Sequence, residues 1–179
     1  MSKVIWHITM SLDGFISGPD DSMDWAFDRD HSRIADETMN EIRAIVGGRR
    51  WYEVAQAKFD GIEGVYGGAW NGPVFVVTHN APKVTTDPRV TFVPDGIGKA
   101  LAAAKAEAKG GAVAIFGANV AQQSLALGLV DEIVVHIAPV LLGEGVRLFG
   151  GPLAKRIELE RRAVDYSGET TDLIFRVKR

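Results

Sequence analysis

The stretch AVAIFGANVAQQSLALGLVDEIVVHIAPVLLGEGVRLF, residues 112–149, decides the fold. Ala112 to Phe116 is an apolar run short enough for an interior strand, and Gly117 followed by the small Ala118 lets a helix begin directly behind it. Leu125, Leu129 and Val130 close the apolar face of that helix. Asp131 and Glu132 then punctuate the turn into IVVHIAPVLL, a β-branched run that Pro139, Gly143 and Gly145 bring to an end. A strand, a glycine turn, a helix and a further strand make a unit on which many nucleotide sites are built. The helix start leaves backbone donors at Asn119, Val120 and Ala121 without partners and carries a partial positive charge, so a phosphate or pyrophosphate suits the turn. A lone glycine between strand and helix also occurs where nothing binds, and the stretch lacks the spacing of the G-x-G-x-x-G dinucleotide fingerprint.

Working outward, GGRRWYEVA at residues 47–55 repeats the strand, glycine, helix transition after a short strand at Ala44 to Gly47. PVFVVTHNAP at 73–82 reads as a strand running into a polar turn, Val90 to Val93 as a short strand, and Ile97 to Lys109 as a helix with Leu101 on its buried face. Towards the N-terminus, Val4 to Met10 is a strand and Asp13-Gly14 a turn that doubles the chain back through Phe15 and Ile16. Gly18 to Asp24 is a loop. Ile34, Thr38, Met39 and Ile42 recur at helical spacing in a segment beginning near Asp30. Phe59 to Gly72 is glycine-rich and irregular, whereas Lys155 to Tyr166 and Thr171 to Lys178 read as two antiparallel strands around Ser167-Gly168. Strands and helices alternate through the middle and strands pair at the end. The expected architecture is therefore α/β, a mixed and mostly parallel sheet with helices on both faces and a C-terminal antiparallel pair.

The chain has 179 residues, enough for one good core, and is read as a single domain over 1–179. A formal charge of -3 argues against a nucleic-acid surface, which needs clustered Lys and Arg. Cysteine is absent, which removes disulfides, thiolate nucleophiles and cysteine metal sites together. The start, MSKVIWHITM, has too short an apolar run for a signal peptide, and no segment approaches a membrane span, so a cytoplasmic location is expected.

In such a sheet, ligands gather beyond the carboxyl ends of the parallel strands. Gly48-Arg49, Thr78-His79 and Gly117-Ala118 all fall at such ends. Arg49 and Arg50 suit a phosphate held by backbone donors, and suit a solvated helix terminus equally. Thr78 and His79 fit a ribose phosphate or an ordinary loop start. Asp13 can hold a substrate amide or relay a proton, or serve only its turn. Asp24 beside Trp25 reads either as an aromatic wall for a flat heterocycle or as a helix cap with a core tryptophan. The four histidines, His7, His31, His79 and His136, show no metal-ligand spacing, so no metal is expected, and His136 reads as a core histidine.

With SLDGFISGPDDSMDW at 11–25, GRRWYE at 48–53, PVFVVTH at 73–79 and the stretch from Gly117 to Phe149, the chain resembles the dihydrofolate reductase-like superfamily from end to end. Within it, the chain is most similar to the family that includes the reductase domain of the bifunctional riboflavin-biosynthesis deaminase-reductase. The resemblance implies an NADPH-dependent reductase, usually a homodimer, that passes hydride to a small heterocyclic or ribosylaminopyrimidine-like substrate. A non-catalytic nucleotide-binding module of the same fold is the alternative. It further implies cofactor phosphates at Gly48, Arg49, Arg50 and at Gly117, Ala118, Asn119, Val120 and Ala121, with Thr78 and His79 near the adenosine ribose and its 2'-phosphate. Asp13 is implied as the catalytic residue, with Asp24, Trp25, Leu142, Gly143 and Glu144 on the substrate side. The chain departs from the family at Phe116, where a glycine is usual. A ring projecting toward the pyrophosphate would hinder the backbone's approach, and one turned into the core would not.

Overall fold

In the computed structural model, which describes residues 2–27, 29, 32–82, 87–151, 156–166 and 168–178, the strands β1 (Val4–Ser11), β3 (Ile42–Gly48), β4 (Val74–Val77), β5 (Val90–Val93), β6 (Ala112–Phe116), β7 (Glu132–Ala138), β9 (Leu159–Asp165) and β10 (Thr171–Val177) form one sheet. Its order is β5-β4-β3-β6-β1-β7-β10-β9. The first six strands are mutually parallel, and β10 runs antiparallel to both β7 and β9. The sheet is thus mixed and mostly parallel with a C-terminal antiparallel pair, as the strand and helix alternation predicts.

Side chains alternate between the two faces of each strand. Val4, Trp6, Val113, Ile115, Ile133 and Val135 pack on one face beneath α4 (Ile97–Glu107) and α5 (Ala118–Ala126), which present Ala100, Leu101, Ala104, Val120 and Leu125. The opposite face carries Ile5, Ile45, Val74, Val76 and Val134, covered by Ile34 of α2 (Arg33–Glu41) and by Ile62, Val65 and Trp70. Those last three lie in the glycine-rich excursion between α3 (Arg49–Lys58) and β4, so that segment is irregular in shape but docked into the core.

One expectation changes at the first turn. Gly14, at φ 87°, closes a turn through its N–H to the Ser11 carbonyl at 2.9 Å, and β2 (Phe15–Ser17) does double back. It pairs, however, with β8 (Val146–Arg147) in a separate two-stranded sheet. β7 occupies one edge of β1 as far as Ser11, and β6 the other only as far as Trp6. The helix expected from near Asp30 begins at Arg33, capped by Ser32, whose hydroxyl accepts from the Ala35 N–H at 3.1 Å. Asp30, His31, Lys155 and Ser167 lie outside the described residues.

Candidate functional site

A cleft of about 1560 Å³ opens at the carboxyl ends of the parallel strands. Single small-molecule sites occupy roughly 300–1,000 Å³, so this one has room for a dinucleotide and a second ring. Three helices start at its wall, α3 behind Gly48, α4 behind Gly96 and α5 behind Gly117, and none of the three has a side-chain cap. Gly96 and Gly117 stand at φ 90° and 88°, conformations that side chains strain to adopt. At Gly48 an added Cβ would come within 3.0 Å of Val120, so the two glycine turns pack closely together. Uncapped N-termini present free backbone donors and a partial positive charge, and glycine lets an anion come close to them.

The same wall explains Phe116. Gly47 of β3 and Phe116 of β6 are register partners, and a Cβ at Gly47 would collide with the Trp51 ring. Trp51 of α3 therefore lies down over Gly47 and stacks on Phe116, with ring centroids 5.1 Å apart and an angle of 20° between planes. Phe116 also meets Tyr66 edge-on at 5.7 Å and belongs to the sheet-face packing while bordering the cleft.

Beyond Tyr66 the wall becomes polar. His7 Nδ1 lies 2.9 Å from the Tyr66 hydroxyl, and His7 Nε2 lies 2.7 Å from His136 Nε2. His136 Nδ1 is 3.0 Å from Asp172 Oδ1. Its N–H axis points off the carboxylate, so the contact is one of charge and proximity rather than an aligned hydrogen bond. Asp172, fully buried, accepts from the Thr170 hydroxyl at 2.7 Å and from the Ser32 hydroxyl. Register makes this file: His7, His136 and Asp172 share a face, with Asp172 directly opposite His136 and His7 two residues from its β7-facing partner position. Burial pushes His7 down to about 3, with His136 beside it adding to the effect, and burial pushes the Tyr66 hydroxyl up. Among the described residues no group of three or more His, Asp or Glu is arranged to hold a metal ion.

The expected site residues divide by location. Gly48, Arg49, Arg50, Thr78, His79, Gly117, Ala118, Asn119 and Val120 line the cleft together. Ala121 does not: it is fully buried, and its N–H, expected to be free, donates to the Gly117 carbonyl at 3.1 Å as the first helical bond. Asp24 and Trp25, in the short helix α1 (Asp24–Phe27), are absent from the wall, where their neighbours Met23, Ala26 and Phe27 stand instead. The Trp25 ring N–H donates to the Ser22 carbonyl at 3.3 Å. Asp13 also lies off the wall. Its carboxylate accepts from the Ser11 hydroxyl at 2.6 Å, from the Gly143 N–H at 2.8 Å and from the Leu142 N–H at 3.2 Å, and these donors hold it down to about 2, the Ser11 bond most of all. Leu142 and Gly143 thus serve Asp13, and Glu144 is exposed. This arrangement is a clamp between two loops.

A family model described as the RibD C-terminal domain matches residues 2–171. The chain belongs to the RibD C-terminal domain family. A curated relative from Bacillus subtilis (strain 168), the uncharacterized protein YwjB, is 25% identical over 176 residues and covers 97% of each chain. A putative riboflavin biosynthesis protein from Shewanella sp. PV-4 superposes with a TM-score of 0.81 at 24% identity over 100% of both chains. The diaminohydroxyphosphoribosylaminopyrimidine deaminase/5-amino-6-(5-phosphoribosylamino)uracil reductase of Thermotoga maritima gives 0.69 at 15% identity, over 99% of this chain and 57% of that one. Dihydrofolate reductase from Enterococcus faecalis, complexed with NADP(H), gives 0.63 at 14% identity over 99% and 97%. These superpositions establish the fold as dihydrofolate reductase-like. The file from Tyr66 to Asp172 escaped motif reading, although His7, His136 and Asp172 each interrupt a largely apolar strand, in VIWHITM, EIVVHIA and TDLIF.

Proposed function

We propose that the protein is an NADPH-dependent reductase that passes hydride to a carbonyl, imine or ring C=N of a small heterocyclic, ribosylaminopyrimidine-like substrate. The observation that carries this reading is the convergence of three uncapped, glycine-led helix N-termini on one cleft. Gly48, Arg49 and Arg50 and the turn Gly117 to Val120 would hold the diphosphate, and Thr78 and His79 would face the adenosine ribose with its 2'-phosphate. In the free protein Arg49 pairs with Glu53 at 2.6 Å and Arg50 with Asp21 at 2.9 Å. Exposed pairs of this kind contribute about 0–1 kcal/mol, so a phosphate can take either guanidinium from its partner. When bound, NADPH supplies the hydride; the chain holds donor and acceptor carbons together and keeps water out. Met23, Ala26 and Phe27 and the polar file around His7 also line the cleft, and the substrate ring would lie against them. The non-catalytic alternative drew on Phe116 obstructing the turn, and the stack on Trp51 removes its main support. A homodimer and a cytoplasmic location accompany the reading on the strength of the family, and light scattering tests the first. Among the described residues no helix is long and apolar enough to cross a membrane.

Titration with NADPH and NADH, followed by tryptophan quenching and energy transfer to the nicotinamide, tests the cofactor half. Tight binding with a preference for NADPH is expected, and binding of neither overturns the reading. Oxidation of NADPH in the presence of 5-amino-6-(5-phosphoribosylamino)uracil tests the substrate half.

A further inference from the structure

We propose that Tyr66, His7 and His136, backed by Asp172, form a proton-delivery relay opening at the substrate end of the cleft. The inference rests on the reductase reading above and deepens it. Hydride addition to a C=O or C=N carbon breaks the π bond and leaves its electron pair on oxygen or nitrogen, which must then gain a proton. Tyr66, His7 and His136 all border the cleft, whereas Asp172 is sealed behind them.

Only one proton fits between two imidazole nitrogens 2.7 Å apart, so the file has two self-consistent arrangements. In the discharged one, the Tyr66 O–H donates to His7 Nδ1, the His7 Nε2–H donates to His136 Nε2, and His136 Nδ1 keeps its proton 3.0 Å from the Asp172 carboxylate without an aligned hydrogen bond to it. In the loaded one, an additional proton makes His136 an imidazolium against that carboxylate. Its Nε2–H then donates to His7 Nε2, the His7 Nδ1–H donates to the Tyr66 oxygen, and the Tyr66 O–H is free to point into the cleft. Passing from loaded to discharged forms one O–H or N–H bond on the reduced substrate at the expense of the Tyr66 O–H. Tyr66 is reprotonated from His7 Nδ1, His7 Nε2 takes the His136 proton, and one solvent proton reloads His136 after turnover. Two electrons and a hydrogen arrive as hydride and one proton through the file, so the sum balances.

Packing alone gives no reason for such a file. Two imidazoles and a carboxylate on a buried sheet face cost desolvation that apolar residues would avoid. Tyr66 is moreover held at φ 53° and ψ 41°, a left-handed backbone that an aromatic residue rarely adopts, and in that conformation its hydroxyl meets His7. Ser32, the cap of α2, and Thr170, just ahead of Asp172's own strand, anchor Asp172, tying the relay to α2. Among the described residues the charged groups around it include Asp165 of β9, the register partner of Asp172, which pairs with Arg33 at 3.7 Å, Asp36 of α2, which shares a small pocket with Tyr66, and Arg29 on the cleft wall, which pairs with Glu169 at 3.7 Å.

Imidazole nitrogen NMR of protein labelled at histidine tests the relay without any substrate. The expected result is that His7 exchanges its protonated nitrogen from Nε2 to Nδ1 in a pH-dependent transition, and that His136→Gln abolishes the exchange. A His7 that keeps one tautomer at every pH at which the protein stays folded overturns the proposal. In turnover with 5-amino-6-(5-phosphoribosylamino)uracil, the milder Tyr66→Phe should lower kcat roughly a hundredfold and alter its pH profile, the range expected of general acids, while NADPH affinity stays within about twofold. An unchanged kcat with an active wild type also overturns it. If the tautomer exchange occurs but the wild type reduces nothing, the reductase reading fails and the relay stands; turnover without the exchange has the reverse meaning.

Discussion

At the glycine end of the cleft the groups offered to a ligand are backbone N–H donors at the starts of α3, α4 and α5, whereas at the other end they are side chains from β1, β7, β10 and the turn at residues 65–68. The first end is made by local chain geometry and stands open to solvent. The second is made by sheet register and is almost wholly buried. The difference teaches where each end is vulnerable. Backbone donors are lost only if the turn itself is deformed, while a buried polar file fails when any one member is left without its partner.

The largest effect is therefore expected at the buried end. Asp172→Ala strands His136, Ser32 and Thr170 together and should cost about 3–5 kcal/mol in urea unfolding, the usual range for removing one partner of a buried charged pair. A loss below about 1 kcal/mol would mean that the file is not a unit. Gly117→Val tests the open end. At φ 88° and ψ 129° a side chain is expected to cost roughly 1–3 kcal/mol, and NADPH binding should weaken more than about a hundredfold while the His7 tautomer exchange persists. Retained affinity would move the phosphates elsewhere.

Acid stability sharpens the comparison further. His7 falls from 6.5 to about 3 in the folded protein, so the unfolded chain binds more protons between those values. The stabilisation is fully present above pH 6.5 and is lost as pH falls toward 3, on the order of a few kcal/mol, and His7→Gln should flatten that slope. Arg49→Ala, at an exposed position, should weaken NADPH about fivefold and NADH less than twofold; equal weakening would mean that Arg49 does not read the 2'-phosphate. Asp13→Asn is expected to matter least to catalysis. Its depressed carboxyl, at about 2 against 3.8, stabilises the loop clamp above pH 3.8 and releases it as pH falls through 2, so the variant should lack that acid-dependent step. A fall in kcat at neutral pH would restore Asp13 as the acid.

The sheet and the glycine turns were legible because their signals are local: an apolar run, a glycine and a helix start stand within ten residues of one another. Phe116 looked like an obstacle because its meaning depends on Gly47 across the sheet and on Trp51 above both. Asp13, Asp24 and Trp25 looked like site residues because a carboxylate or an aromatic ring in a loop reads the same whether it faces a ligand or its own backbone. The hydrogen bonds of Asp13 to Ser11 and Gly143 and of Trp25 to the Ser22 carbonyl are what the structure adds, and no spacing encodes those. His136 read as a core histidine, and it is indeed buried. What the pattern could not supply was the pairing of β7 with β10, which sets Asp172 opposite it.

The most direct test of the account is NADPH titration of the wild type, Gly117→Val and His136→Gln in parallel. The account predicts binding by the wild type, loss in Gly117→Val, and an affinity within about twofold of wild type in His136→Gln, because the two ends are separately built. No binding by the wild type, or equal loss in both variants, would contradict it.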